Sequence, residues 1–220
     1  MMQSDTAQAL RYFSVHNHQA SYEILPGAGQ VLFSAPHAVL QTRNGQIKSA
    51  ERYTGMLCRL LHQRYGLPCI YKSRHLDDDA NHDVKSPYRD ALCSFAAQNR
   101  IRYVLDLHQL APSRPMALCI GTGHGQNLGS ALHLPGLVRH VFEQAGLTPV
   151  TMDDPFAASK AYTVSATAAA HGFAALQLEI NTRLVLENTP DERFEDVLAA
   201  LYLIAQTLNE YKEVIPCSGV

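Results

Sequence analysis

Apolar positions along the chain alternate between two spacings. Residues 30–35 (QVLFSA), following Pro26-Gly27, form a short apolar run that predicts a buried strand. Apolar residues at Tyr53, Leu57, Leu60 and Leu61 follow a helical period over 51–65, and Gly66 stops it. A strand is then predicted over 68–72 (PCIYK). Ser86-Pro87 supplies an N-cap and a first-turn proline for a helix over 87–99. Strands are predicted at 102–107 (RYVLDL) and 116–121 (MALCIG), helices at 134–146 and 162–171, and a strongly apolar strand at 173–180 (FAALQLEI). Thr189-Pro190-Asp191-Glu192 reads as a capping box opening a last amphipathic helix to about Lys212, with Val197, Leu198, Leu201, Ile204 and Leu208 as its buried stripe.

Strands alternating with helices predict an α/β fold with a mostly parallel or mixed sheet covered on both faces. No repeat, low-complexity tract or linker divides the chain, so residues 1–220 are read as a single domain. In open sheets of this kind ligands collect at the C-terminal strand ends. Three predicted strands end in reactive residues: Pro36-His37, Asp106-Leu107-His108 and Glu179-Ile180-Asn181.

Composition narrows the field. A formal charge of -2, with no basic run, gives no footprint for nucleic acid or an anionic membrane. No apolar stretch reaches the roughly 18 residues of a membrane span, and Met1 to Ala7 lacks the features of a secretory signal. Five scattered cysteines (Cys58, Cys69, Cys93, Cys119, Cys217) without a Cys-x-x-Cys pair fit a reducing cytoplasm. Eleven histidines and no tryptophan direct attention to metals.

A catalytic zinc takes about three N or O ligands and keeps one position open. His37 and His108, each at a predicted strand end, can supply two of them, or each can simply bond a turn. Asp106 shares a strand face with His108 and can orient a neighbouring group. Glu179, ending a very apolar run, either leaves the sheet for solvent beside Arg183 or stands near a metal site as a base. Gly121-Thr122-Gly123-His124-Gly125 can offer backbone N–H groups to an anion, but it lacks the spacing of a phosphate or dinucleotide loop. The absence of a Gly-x-Ser-x-Gly elbow speaks against a serine hydrolase. Asp77-Asp78-Asp79 reads as a solvated turn.

Taken in order, Pro36-His37, the segment 81–92 (NHDVKSPYRDAL), Asp106-Leu107-His108, Gly121-Thr122, Asp154-Pro155-Phe156 and 176–181 (LQLEIN) resemble the N-formylglutamate amidohydrolase family. That family lies within the wider zinc carboxypeptidase and succinylglutamate desuccinylase/aspartoacylase group. The resemblance implies a three-layer α/β/α fold with a mixed sheet and one zinc ion held by two histidines and an acid. It also implies hydrolysis of an N-acyl amino acid such as N-formylglutamate, with a glutamate as general base. By position it assigns His37 and His108 as metal ligands and Glu179 as the base. His37 is followed by Ala38-Val39-Leu40 rather than a His-x-x-Glu motif; the formylglutamate enzymes place their acid much later, and the resemblance implies Glu51, at the head of a predicted helix, as that ligand. Asn81 and Arg89 match the segment that grips a substrate carboxylate. Ala157-Ala158-Ser159 replaces the glycines usual after the family's Pro-Phe. Two other readings stand beside this one: a metallopeptidase acting on peptide or cell-wall fragments, and a non-catalytic metal- or ligand-binding relative.

Overall fold

The strand predicted at 102–107 is the middle of the molecule. In the computed structural model, which describes residues 2–14, 18–186 and 193–211, it becomes β6 (Tyr103–Leu110), the fourth of seven strands. The others are β1 (Tyr22–Leu25), β2 (Val31–Ala35), β5 (Cys69–Lys72), β7 (Leu118–Gly121), β8 (Val150–Met152) and β9 (Ala174–Asn181). They run in the order β1-β5-β2-β6-β9-β7-β8. Pairing is parallel for β5-β2, β2-β6, β6-β9 and β7-β8, and antiparallel for β1-β5 and β9-β7. A central parallel strand is covered on both faces, and β6 accordingly buries all but one of its residues.

The period-2 alternation of β6 sorts the helices into two layers. Tyr103, Leu105 and Leu107 face a large apolar cluster with α1 (Met2–Tyr12), α2 (Arg52–Tyr65), α4 (Leu134–Gln144) and α6 (Phe194–Glu210). Val104 faces a smaller cluster with α3 (Pro87–Gln98) and α5 (Val164–Ala170). The result is an α/β/α sandwich around a mixed, mostly parallel sheet.

Local signals set most boundaries. Gly66 ends α2 in the left-handed conformation, φ 67°, where a side chain would be strained. Ser86 caps α3 by accepting from the Arg89 amide. The predicted stripe of α6 is buried throughout, while its predicted capping box at Thr189–Glu192 lies outside the described residues. Four pieces go beyond the sequence expectation: α1, the half-buried edge strand β1, the short strand β8, and a hairpin of β3 (Gln41–Arg43) and β4 (Gln46–Lys48). That hairpin turns on Asn44-Gly45, both with positive φ, a common two-residue turn signal. Pairing between β6 and β9 continues to Leu110 and Asn181, so His108 lies inside its strand rather than past the end. No helix among the described residues is long and apolar enough to cross a membrane.

Candidate metal centre

The smaller helical layer does not cover its whole sheet face. Leu32, Val104 and Ala175 pack under α3 and α5, and one pleat further along the same strands the face turns polar. There β2 presents Ser34, β6 presents Asp106 and His108, and β9 presents Gln177 and Glu179. Register pairs Ser34 with Asp106, Asp106 with Gln177, and His108 with Glu179. The same period that builds the core thus places five polar side chains on one patch.

Two segments outside the sheet complete the patch. His37 follows β2, and Glu51 stands at the head of α2; the Glu51 amide donates to the His37 carbonyl at 2.7 Å, which ties the two segments together. A residue at this helix position commonly turns its side chain back on the helix amides, but Glu51 does not. Gln109 Oε1 instead accepts from the Tyr53 amide, while the Gln109 amide donates to Glu51 Oε2 at 3.0 Å. The Glu51 carboxylate is thereby free to meet both histidines. Its Oε1 lies 3.2 Å from His37 Nδ1 and its Oε2 lies 3.3 Å from His108 Nδ1. The two imidazole centroids are 4.8 Å apart.

One ligand atom from each of His37, Glu51 and His108 lies within 4.8 Å of the others, a cluster that could hold a metal ion. Each imidazole meets a different carboxylate oxygen, and each distance is near the roughly 3.4 Å separation of neighbouring donors around a tetrahedral ion with bonds of about 2.1 Å. The far nitrogens are held as metal-bound imidazoles commonly are. His37 Nε2 donates to Asp79 Oδ1 at 2.9 Å, and His108 Nε2 to Asp106 Oδ2 at 3.0 Å. Asp106 also accepts from Ser34 Oγ at 2.7 Å, and Asp79 from the Arg43 guanidinium and the Asn81 amide. Both rings are therefore fixed with Nδ1 toward Glu51. The donor set of two imidazoles and one carboxylate suits a borderline-soft divalent cation.

Electrostatics follow from this packing. Burial alone would lower both histidines, but Glu51 and Asp79 raise His37, and Asp106 and Glu51 raise His108, above the ordinary imidazole range. Burial would raise Glu51, yet His37 and His108 outweigh it and hold that carboxyl down to about 2. Glu179 behaves oppositely. Burial pushes its carboxyl up to about 7, with His108 opposing. Gln177 Nε2 donates to Glu179 Oε1 at 2.8 Å and fixes its orientation. The Arg183 guanidinium donates to the Arg114 and Pro115 carbonyls. A carboxyl near neutrality beside a cation site can accept a proton and return it.

These groups line a cleft of ≈ 500 Å³. Its far side is the loop 155–160, where Phe156 and Ala158 approach β7 so closely that a Cβ on Gly121 would sit 2.8 Å from the Phe156 carbonyl oxygen. Asn81 lines the cleft; its Nδ2 is 3.4 Å from His108 Nε2, and its Oδ1 accepts from the Val164 amide at the start of α5. Arg89 does not line it. Its buried guanidinium donates to the carbonyls of Ala80, Asp83, Val84 and Tyr162, a structural clamp under α3 that differs from the carboxylate grip the sequence suggested. Arg43, His82 and Lys160 line the cleft in its place. Arg43 immediately precedes the Asn44-Gly45 turn, the signal in the sequence that points to it.

Two further sequence readings are corrected. Asp77-Asp78-Asp79 is not simply a solvated turn, since Asp79 is fully buried against His37 and Asp78 pairs with Lys72 at 2.6 Å. The loop at Gly121–Gly125 is no open anion cradle. The Thr122 amide and hydroxyl both donate to Asp153, the Gly123 amide to the Ala157 carbonyl, and the Gly125 amide to Thr122 Oγ1.

The sequence matches no protein-family model and no curated protein. The fold matches solved structures. N-formylglutamate amidohydrolase from Ralstonia eutropha JMP134 superposes with a TM-score of 0.63 at 17% identity, over 87% of this chain and 98% of that one. A bacteriophage poly-gamma-glutamate hydrolase gives 0.58 at 14% identity, over 87% and 91%. Succinylglutamate desuccinylase from Chromobacterium violaceum gives 0.54 at 14% identity, over 92% and 77%. The chain shares the fold of these amide-cleaving hydrolases.

Proposed function

We propose that this protein is a zinc-dependent amidohydrolase that cleaves the amide bond of a small N-acyl amino acid, of the N-formylglutamate type. The observation that carries the reading is the convergence of His37 Nδ1, His108 Nδ1 and the Glu51 carboxylate at the floor of the cleft, with Glu179 beside His108 on the next strand. The likeness in fold to enzymes named for such substrates supports it.

The roles divide by chemistry. His37, Glu51 and His108 would hold the ion. A divalent cation held there supplies Lewis-acid polarisation of the amide carbonyl and makes water more acidic. Glu179 takes a proton from the attacking water as its oxygen bonds to the carbonyl carbon, then delivers that proton to the nitrogen as the C–N bond breaks. Gln177 keeps the Glu179 carboxylate facing the cleft. Asp79 and Asp106 hold the imidazoles in register. Arg43, with its guanidinium anchored on Asp79 and one third of its side chain exposed, is placed to pair with a substrate carboxylate. Asn81 supplies an amide at the cleft wall for the same substrate.

A second reading is cleavage within a peptide or γ-glutamyl chain. It draws on the likeness to the phage poly-gamma-glutamate hydrolase, whose chain is matched over 91% of its length. One experiment separates the two. Protein stripped by chelation and reloaded with one equivalent of zinc is assayed against N-formyl, N-acetyl and N-succinyl amino acids, short γ-glutamyl oligomers and cell-wall peptides. Preference for the single acyl amino acids supports the first reading, and preference for oligomers the second. Failure to bind zinc, with no hydrolysis of any member, rejects both.

A further inference from the structure

The metal-site segments border a second space. A cavity of ≈ 520 Å³, comparable to the cleft, shares no lining residue with it. Val39 and Leu40, two and three residues beyond His37, wall it, as do Ser49 and Ala50 just before Glu51 and Arg52 just after. Both stretches that present donors to the metal site therefore also border this cavity.

Its chemistry is one-sided. Arg52, Arg74 and His75 line it, and no aspartate or glutamate does among the described residues. Arg52 is exposed, and its Nη1 donates only weakly, to Ser14 Oγ at 3.3 Å. Arg74 Nε is buried and has no hydrogen-bond partner among the described residues. His75 Nε2 lies 2.9 Å from Thr42 Oγ1 and 3.8 Å from Asp77 Oδ1. Beside these donors Phe13, Val39 and Leu40 give the cavity an apolar wall.

We propose that this cavity is a binding site, separate from the catalytic cleft, for a small molecule that carries a carboxylate on a short apolar chain. The guanidinium groups of Arg52 and Arg74 receive the carboxylate, for which Arg is the suited partner by geometry and weak hydration. The apolar chain lies against Val39 and Leu40. A bare oxyanion, such as phosphate, would meet the same arginines but leave that wall uncovered.

Calorimetric titration of the full chain with hexanoate, acetate and inorganic phosphate tests this. Hexanoate should bind at least tenfold more tightly than acetate or phosphate. The paired substitutions Arg52→Gln and Arg74→Gln should weaken hexanoate binding tenfold or more, while Arg43→Gln, in the cleft, should leave it unchanged. Arg52→Gln alone, at an exposed position, should weaken it several-fold and guards against misfolding of the double variant. Hexanoate binding that survives in the double variant, or that disappears in Arg43→Gln, would overturn the site. Hexanoate binding no tighter than acetate would overturn the ligand class.

Discussion

His108 and Glu179 are register partners on adjacent parallel strands, with both side chains on the face that α3 and α5 leave uncovered. Adjacent strands lie about 4.8 Å apart, so the pair is held at that separation by the sheet itself and not by a mobile loop. The two residues nevertheless differ in task. His108 faces Glu51 and His37, whereas Glu179 is held by Gln177, and burial pushes its carboxyl up to about 7.

Substitution separates those tasks. Glu179→Gln keeps size and most hydrogen bonding but cannot accept a proton. It should retain one equivalent of zinc while kcat falls on the order of 10²–10⁴-fold, the usual worth of general acid–base catalysis. His108→Ala should lose the zinc instead. Metal content and kcat measured on the same preparations decide this, and a Glu179→Gln protein with wild-type kcat would remove Glu179 from the mechanism.

The carboxylates behind the histidines should matter nearly as much as the ligands. Asp79→Asn and Asp106→Asn each keep the shape but weaken the grip on the imidazole Nε2–H. Zinc affinity, read by competition with a chromophoric chelator, should fall by about 10–100-fold in each. Unchanged affinity would show that Glu51 and the backbone orient the rings unaided.

Metal binding should release protons, with affinity rising with pH. Glu51 and Asp79 raise His37, and Asp106 and Glu51 raise His108, above the ordinary imidazole value without a metal, so protons held on the two rings must leave for both to ligate. Glu51, held down to about 2, contributes no proton above pH 4. Zinc titrations at pH 6.5 in two buffers of different ionisation enthalpy should report about one to two protons released per ion. A count near zero would contradict a two-imidazole site.

Arg89 and Arg43 should respond oppositely. Arg89→Met strips four carbonyls of their donor and should lower urea-derived stability by about 2–4 kcal/mol, with KM unchanged in the folded fraction. Arg43→Gln should cost less stability than that, because Asp79 keeps His37 and the Asn81 amide as partners, and should raise KM on the order of tenfold for a carboxylate-bearing substrate. A large KM effect at Arg89 would return it to the substrate site.

Elements governed by neighbours along the chain are legible in the sequence itself. The apolar runs that form β2, β6 and β9 and the stripe of α6 follow from periodicity, and Gly66 and Ser86 mark helix boundaries through backbone geometry that is local. His37, His108 and Glu179 stand out because reactive residues lie at the ends of those runs, whereas Glu51 is reached only through the family resemblance. Arg43 is marked only by the neighbouring Asn44-Gly45, since three-residue strands carry too little periodicity to announce themselves.

What only the tertiary structure decided is which groups pair. Asp79 serves His37 from 42 residues away, and Gln109 relieves Glu51 of capping from 58 residues away. Arg89 turns to the carbonyls of its own surroundings rather than to the cleft. Alternation tells that Asp106 and His108 share a face; it does not tell that α3 and α5 stop short and leave that face open. Periodicity is a property of a few consecutive residues. Hydrogen-bond partners and uncovered surface depend on segments brought together through space, and their selection waits until the layers have packed.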